Sequence, residues 1–148
     1  MRPATPIILA LTLLLTGCAS PTLPDLPKQE LASICGMDAS KMEVIREDNS
    51  IEYKIQKSEL TTQSVWIEVG PYSPQHFSDV RRIQKDNNLN HYPDVGEEAV
   101  VWTKQRIFRT MLLSDGDQAY RIRSIMEGCN DDEGLIAIAN AILDSNLE

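Results

Sequence analysis

The chain has 148 residues, of which 42% are hydrophobic and 24% charged, so it has enough apolar material for one folded domain. Its formal net charge is −8, and Arg81-Arg82 is the only adjacent pair of basic residues. Proteins that bind nucleic acid by neutralising phosphates need clustered Lys and Arg, so this charge distribution argues against that class.

The first apolar segment, Pro6 to Leu15, follows a short N-terminus with one basic residue, Arg2. It is too short for a membrane-spanning helix, which needs about 20 residues, and it is typical of a secretory signal peptide. It ends in Leu15-Thr16-Gly17-Cys18, which resembles the lipobox of bacterial lipoproteins. The resemblance implies that residues 1–17 are removed and that the Cys18 thiol carries a diacylglycerol with fatty acids such as palmitate. The alternatives are an ordinary signal peptide with a chance cysteine, or a buried apolar segment.

A lipidated Cys18 predicts the location of the protein. One acyl chain binds a bilayer only marginally, whereas two or three chains at one residue give a near-permanent tether. Removing Arg2 changes the net charge from −8 to −9, so we expect lipid rather than charge to hold the domain at an anionic surface. Residue 19 is Ala rather than the Asp that commonly signals retention in the inner membrane. In a Gram-negative source the resemblance therefore implies the outer membrane, facing the periplasm.

Prolines recur at every third position after the cysteine, at Pro21, Pro24 and Pro27. This period favours an extended, polyproline-like spacer over 18–30. At about 3 Å per residue, the stretch 19–30 would hold the domain roughly 35 Å from the membrane. We therefore predict a single globular domain over 31–148.

The first half of that domain predicts one short helix, three strands and a second helix. A helix over 29–36 ends at Gly36, a typical C-terminal cap. Alternating hydrophobicity predicts two strands within 41–58 and a third strand over 64–70, with Trp66 and Glu68 on its polar face. The next helix begins with Ser73 as N-cap and Pro74 as its first residue.

The second half predicts three more strands and a final helix. Strands over 99–103, 107–113 and 119–126 follow, and Asp115-Gly116 predicts a type I′ hairpin between the last two. Arg121 and Arg123 face away from Tyr120 and Ile122. The last helix is capped by Asp131 or Asp132 and has an apolar stripe, which comprises Leu135, Ile138, Ala139, Ile142 and Leu143. The predicted class is α+β, a mainly antiparallel sheet of five to six strands packed with N-terminal, middle and C-terminal helices.

Three stretches, PDVGEEAVVW, MLLSDGDQAYRI and LIAIANAIL, resemble the C-terminal half of small bacterial lipoproteins of unknown function. In that group a glycine-acid-Ala turn, here Gly96 to Ala99, precedes a strand, a hairpin and a final helix. The resemblance implies a PsbP-like sandwich and carries over no catalytic residue. Some members also carry one cysteine near the first helix and another before the last, as Cys35 and Cys129 do here.

Cys35 and Cys129 remain as a pair if Cys18 is acylated. The compartment outside the inner membrane permits disulfides, and a bridge across about 90 residues has an idealised value of about 4.5 kcal/mol. The alternative is two buried free thiols, since Cys packs well as a small hydrophobe. We predict the disulfide. A redox-active site is disfavoured because the chain has no Cys-x-x-Cys spacing.

Sites for chemistry are not indicated. The two histidines are His76 and His91, and His91 precedes the acids Asp94, Glu97 and Glu98, but no close His pair of the kind zinc sites use is present. Gly-x-Ser-x-Gly, phosphate-binding and calcium-loop patterns are also missing. We therefore predict no catalytic, cofactor or metal residue. The aromatic residues on or next to the predicted strands can form either a ligand groove or core pairs; they are Tyr53, Trp66, Tyr72 and Trp102.

Three functions are compatible with this pattern. The leading one is a lipid-anchored, non-enzymatic binding or accessory module of the cell envelope, with an envelope protein as partner. The second is a carrier of a small molecule or lipid in a pocket between sheet and helix. The third is an enzyme whose site is scattered over the fold.

Overall fold

The computed structural model describes residues 22–83, 89–104, 107–125 and 128–147. Cys18 and the predicted signal peptide lie outside these residues. The elements, in chain order, are α1 (Lys28–Cys35), a 3-10 turn (Ala39–Lys41), β1 (Glu43–Arg46), β2 (Ser50–Ser58), β3 (Thr61–Pro71), α2 (Pro74–Ile83), β4 (Asn90–Tyr92), β5 (Glu98–Lys104), β6 (Phe108–Asp115), β7 (Gln118–Ile125) and α3 (Asp132–Ser145).

The strands form one antiparallel sheet in the order β1-β2-β3-β7-β6-β5-β4, which confirms the α+β class. The sheet has seven strands, so the prediction of five to six is too low. The additional strand is β4, whose three residues pair with β5 through Asn90 and Val101. Three residues are too few for hydrophobic alternation to show, and neither Asn90 nor His91 is buried.

The predicted ends of the helices agree with the structure. Gly36 caps α1 in the left-handed conformation, with φ 62°, and α2 begins at Pro74. Asp131 is the N-cap of α3, and its side chain accepts a hydrogen bond from the backbone N–H of Gly134. These local signals were sufficient because each end depends on residues within one turn of it.

The hairpin between β6 and β7 lies where the sequence predicts it, but its turn type differs. Asp115 pairs with Gln118, so Gly116 and Asp117 are the two central residues. Gly116 has φ 57°, whereas Asp117 is not among the residues with positive φ. A positive φ at the first central residue alone is the pattern of a type II′ turn rather than type I′.

One face of the sheet, here called the core face, is covered by α1 and α3. Its buried strand residues alternate as predicted, for example Val65, Ile67 and Val69 on β3. Helix α3 buries Leu135, Ile138, Ala139 and Ile142 against it, whereas Leu143 is only partly buried. The apolar area removed from water on this face is the main stabilising contribution to the fold.

The packed part of the chain begins before the predicted boundary near Leu31. Residues 22–27, here called the N-terminal strap, lie against the domain, and the Leu26 side chain is 1% exposed. The Tyr53 hydroxyl donates a hydrogen bond of 2.5 Å to the Leu26 carbonyl oxygen. The second half of the predicted spacer is therefore part of the fold, because Leu26 has a buried apolar position to fill.

Candidate functional site

The second face of the sheet is only partly covered. Helix α2 packs over its β5–β6 side, where Phe77 contacts a small cluster that includes the buried Val100 and Leu112. The remaining part, here called the open face, consists of outward side chains of β2, β3 and β7. They include Glu52, Trp66, Glu68, Arg121 and Arg123, and all five are half-buried.

Strand register places the open-face residues next to one another. Trp66 pairs with Glu52 on one side and with Arg123 on the other. Glu68 pairs with Arg121 across the same β3–β7 contact. Because directly paired side chains lie about 5 Å apart, the five residues form one continuous patch.

Weak ion pairs hold the charges of this patch. One carboxylate oxygen of Glu68 lies 3.5 Å from an Arg121 nitrogen and 3.7 Å from an Arg123 nitrogen. The three side chains are 36–41% exposed. Exposed pairs of this kind contribute only about 0–1 kcal/mol each, so the arginines can exchange partners at little cost.

Trp66 gives the open face an aromatic centre. The Arg123 guanidinium carbon lies 5.8 Å from the centroid of the Trp66 ring. This cation–π geometry orients the arginine above the ring and leaves the indole half-buried rather than enclosed. Trp and Arg are both enriched at protein-binding surfaces.

A cleft of about 410 Å³ adjoins the open face where the sheet meets the start of α2. Glu68 and Arg121 contribute its charged groups, and Leu112 and Ala119 contribute apolar surface. The rest of its lining is Asn49, Val69, Gly70, Pro71 and Ser73. The cleft can accept a small polar group, but it is wide open to solvent.

The four aromatic residues considered for a groove do not share one surface. Tyr53 is buried on the core face, with 0% exposure. Trp102 and Tyr72 belong to the small cluster under α2, where the Tyr72 and Phe77 rings are 5.7 Å apart. Only Trp66 lies on the open face, so the core interpretation describes the other three.

A second polar cluster lies at the start of α3, on the core face. The Asp132 carboxylate accepts hydrogen bonds from the Tyr92 hydroxyl, from Asn90 and from the Arg109 side chain. Partial burial of Asp132 raises its pKa, but hydrogen bonds from Tyr92, Arg109 and Asn90 outweigh that effect and lower the pKa. The same hydrogen bond to Asp132, with burial, raises the pKa of Tyr92 to about 12. Every member has a partner within the cluster, so it joins α3 to β4 and β6 rather than presenting a free group.

His91 lies beside a carboxylate in the described part of the chain, but not within a metal site. The Nε2 atom of His91 lies 3.2 Å from a Glu98 carboxylate oxygen. Within the described residues, no group of three or more His, Cys, Asp or Glu side chains is placed to hold a metal ion. His76 lies on α2, remote in sequence from His91.

Cys35 and Cys129 are brought together as predicted. Their sulfur atoms lie within bonding distance, and their Cα atoms are 4.8 Å apart, inside the usual range for disulfides. The pair joins the last residue of α1 to the loop before α3. Cys18, the predicted lipid-attachment residue, lies outside the described residues.

No helix among the described residues is long and apolar enough to cross a membrane. Comparison of the chain with protein-family models, with curated proteins and with solved structures finds no match.

Sequence reasoning found part of the open face. Alternation along β3 and β7 predicts that Trp66, Glu68, Arg121 and Arg123 face away from the core, and the structure agrees. It missed the fact that β3 and β7 are neighbours, which creates the patch. It also missed the Asp132 cluster, whose four members come from three separate elements, β4, β6 and α3, and have no shared motif.

Proposed function

We propose that this chain is a lipid-anchored protein of the bacterial cell envelope whose domain is a non-enzymatic binding or accessory module. Cys18 is the acylated residue, and the open face is the surface that contacts an envelope protein. In a Gram-negative source the protein is held at the outer membrane and faces the periplasm. The lipobox-like Leu15-Thr16-Gly17-Cys18 supports the anchor.

The open face is the observation that carries the binding part of the proposal. It combines a half-buried tryptophan with charges of both signs held by ion pairs of 3.5 and 3.7 Å. Charge complementarity of this alternating kind selects a polar protein surface, since a lipid or nucleic-acid surface has charge of mainly one sign. The partner class is therefore a folded envelope protein that presents a carboxylate to Arg121 or Arg123 and apolar surface to Trp66.

The proposal includes a specific type of fold, the PsbP-like sandwich. An antiparallel sheet with helices on both faces is compatible with the PsbP-like sandwich that the sequence resembles. The pairing of Cys35 and Cys129 is compatible with the same group, some members of which carry cysteines at similar places.

A carrier function is the alternative, and the cleft beside Glu68 and Arg121 is the observation that favours it. The cleft lies between the sheet and the start of α2, as a carrier pocket between sheet and helix requires. Its openness and its charged pair suit a small polar ligand better than an acyl chain. Native mass spectrometry of the purified protein distinguishes this alternative, because a carrier retains a bound small molecule.

Site-specific photo-crosslinking in cells tests the binding module. In one variant a photoreactive aromatic residue replaces Trp66. In a control variant it replaces the exposed Lys57, next to the last residue of β2. We expect a discrete adduct with one envelope protein from position 66 and none from position 57. Adding Arg123→Glu, which places a second carboxylate beside Glu68, should reduce the adduct several-fold, whereas Lys57→Glu should leave it unchanged.

If the open face contacts no protein, position 66 should give no specific adduct. Equal, non-specific crosslinking from both positions, in a protein shown by circular dichroism to be folded, would remove the open face from the proposal. Recovery of one small molecule with every preparation, lost in Arg121→Ala, would support the carrier instead.

A further inference from the structure

We infer that the domain is tethered at one end of its sheet, where the strands reach the β1–β2 and β6–β7 turns. This end is here called the hairpin end. This end lies nearest the bilayer, and the open face is roughly perpendicular to the membrane plane. The partner is then a protein close to the membrane surface. The inference rests on the proposed acylation of Cys18 and adds the orientation and the partner's location.

The N-terminal strap fixes the point from which the tether leaves the domain. The backbone N–H of Thr22 donates a 3.0 Å hydrogen bond to Gln118, the first residue of β7. A carboxylate oxygen of Asp25 lies 3.9 Å from a guanidinium nitrogen of Arg46, the last residue of β1. The strap therefore crosses the hairpin end from β7 to β1 before α1 begins at Lys28.

Buried contacts hold the strap in place. Leu26 is 1% exposed, and Pro24 is also buried. The Tyr53 hydroxyl, itself in the core, donates to the Leu26 carbonyl oxygen at 2.5 Å. Releasing the strap would expose Leu26 and leave a buried hydroxyl without its acceptor, which is unfavourable on both counts.

Covalent geometry limits how far the domain can move from its anchor. Four Cα–Cα steps separate Cys18 from Thr22, so the two residues lie at most about 14 Å apart. The opposite end of the sheet, at the β2–β3 turn beside Leu60, is the length of β3 away. At about 3.3 Å per residue, the strand Thr61–Pro71 spans roughly 35 Å. The tether thus keeps the hairpin end within about 14 Å of the bilayer, whereas the far end can lie roughly 35 Å farther out.

The charge of the hairpin end opposes flat adsorption to an anionic bilayer. Exposed or half-exposed carboxylates cluster there, and Arg46 is already paired with Asp25. The acidic residues are Asp25, Glu47, Asp48, Asp94, Glu97, Asp115 and Asp117. Repulsion between these carboxylates and anionic headgroups extends the short tether and keeps the domain off the membrane surface, which leaves the open face accessible from the side.

Energy transfer from two labelled positions tests the orientation. The full-length processed protein carries a donor dye at Asp117→Cys, in the β6–β7 turn, or at Leu60→Cys, which is 98% exposed in the β2–β3 turn. Each form is reconstituted in phosphatidylcholine–phosphatidylglycerol vesicles with headgroup-linked acceptor dye of short transfer distance. We expect several-fold higher transfer from position 117 than from position 60. Inserting a twelve-residue Gly/Ser segment after Ala19 should remove most of the difference without altering the domain.

The outcomes separate this inference from the proposed function. Equal transfer from the two positions, or higher transfer from position 60, in protein that floats with the vesicles would overturn the orientation and leave the anchor intact. Protein that carries no lipid and does not float would instead contradict the proposed function.

Discussion

At the residue scale, Asp132 has an environment unlike that of an ordinary surface acid. It is 15% exposed and accepts hydrogen bonds from Asn90, Tyr92 and Arg109. These bonds lower its pKa despite partial burial, which raises it. A lowered pKa means that folding favours the ionised form, so the carboxylate stabilises the native state whenever it is charged.

Replacing this carboxylate tests its contribution. We expect Asp132→Asn to lower the free energy of unfolding by about 1–3 kcal/mol at pH 7, because charged hydrogen bonds to Arg109 are lost. The contribution is present above the unfolded pKa of about 3.9 and is lost as the pH falls through the lower folded-state pKa. Urea unfolding of both proteins at several pH values checks this.

Asp144→Asn, on an exposed position of the same helix, is the matched control and should change the unfolding free energy by less than about 0.5 kcal/mol. A gap between Asp132→Asn and wild type that stays constant below pH 4 would contradict the assignment.

Gly96 is a residue whose missing side chain matters. Its φ is 62°, and a Cβ atom there would lie 2.6 Å from the Ser114 carbonyl oxygen of β6. We expect Gly96→Ala to lower the free energy of unfolding by about 1–3 kcal/mol, because backbone strain and a clash with β6 both destabilise the folded variant. Thermal unfolding measures the effect.

Gly70→Ala is the control for Gly96→Ala, since a Cβ atom at Gly70 meets nothing within 4 Å. Similar melting temperatures for the two variants would show that the turn into β5 tolerates a side chain.

At the element scale, the linkage between α1 and the start of α3 depends on Cys35 and Cys129.

Several features of single elements were predictable because each depends on residues close in sequence. They are the helix ends, the faces of β3 and β7 and the apolar stripe of α3. The N-terminal strap was not predictable in the same way. Its prolines indicate an extended segment, but the burial of Leu26 depends on Tyr53, which is 27 residues away.

Removing the Cys35–Cys129 link should destabilise the domain. We expect the double substitution Cys35→Ser with Cys129→Ser to lower the free energy of unfolding by about 2–5 kcal/mol. Reducing the wild-type protein should give nearly the same loss, and urea unfolding with and without reductant measures both. Two free thiols titrated in denatured, non-reduced protein would show that the pair is not oxidised.

At the scale of the whole molecule, the sheet order decides where the candidate site lies. Hydrophobic alternation assigns each side chain to a face, but it does not say which strands are neighbours. The β3–β7 contact joins strands separated by α2 and three further strands, and this contact places Trp66 beside Arg123. The face on which each of these side chains lies was therefore predictable from sequence, whereas their arrangement as neighbours on the open face required the fold.

The chemical state of Cys18 tests the proposed lipid anchor most directly. Mass spectrometry of the N-terminal peptide from membrane-extracted protein, with palmitate labelling in cells, measures that state. We predict a mature chain that begins at acylated Cys18 and floats with membranes, and an unlabelled Cys18→Ser variant that does not. A mature N-terminus beyond residue 18, or an unmodified Cys18 thiol in membrane-extracted protein, would contradict the anchor.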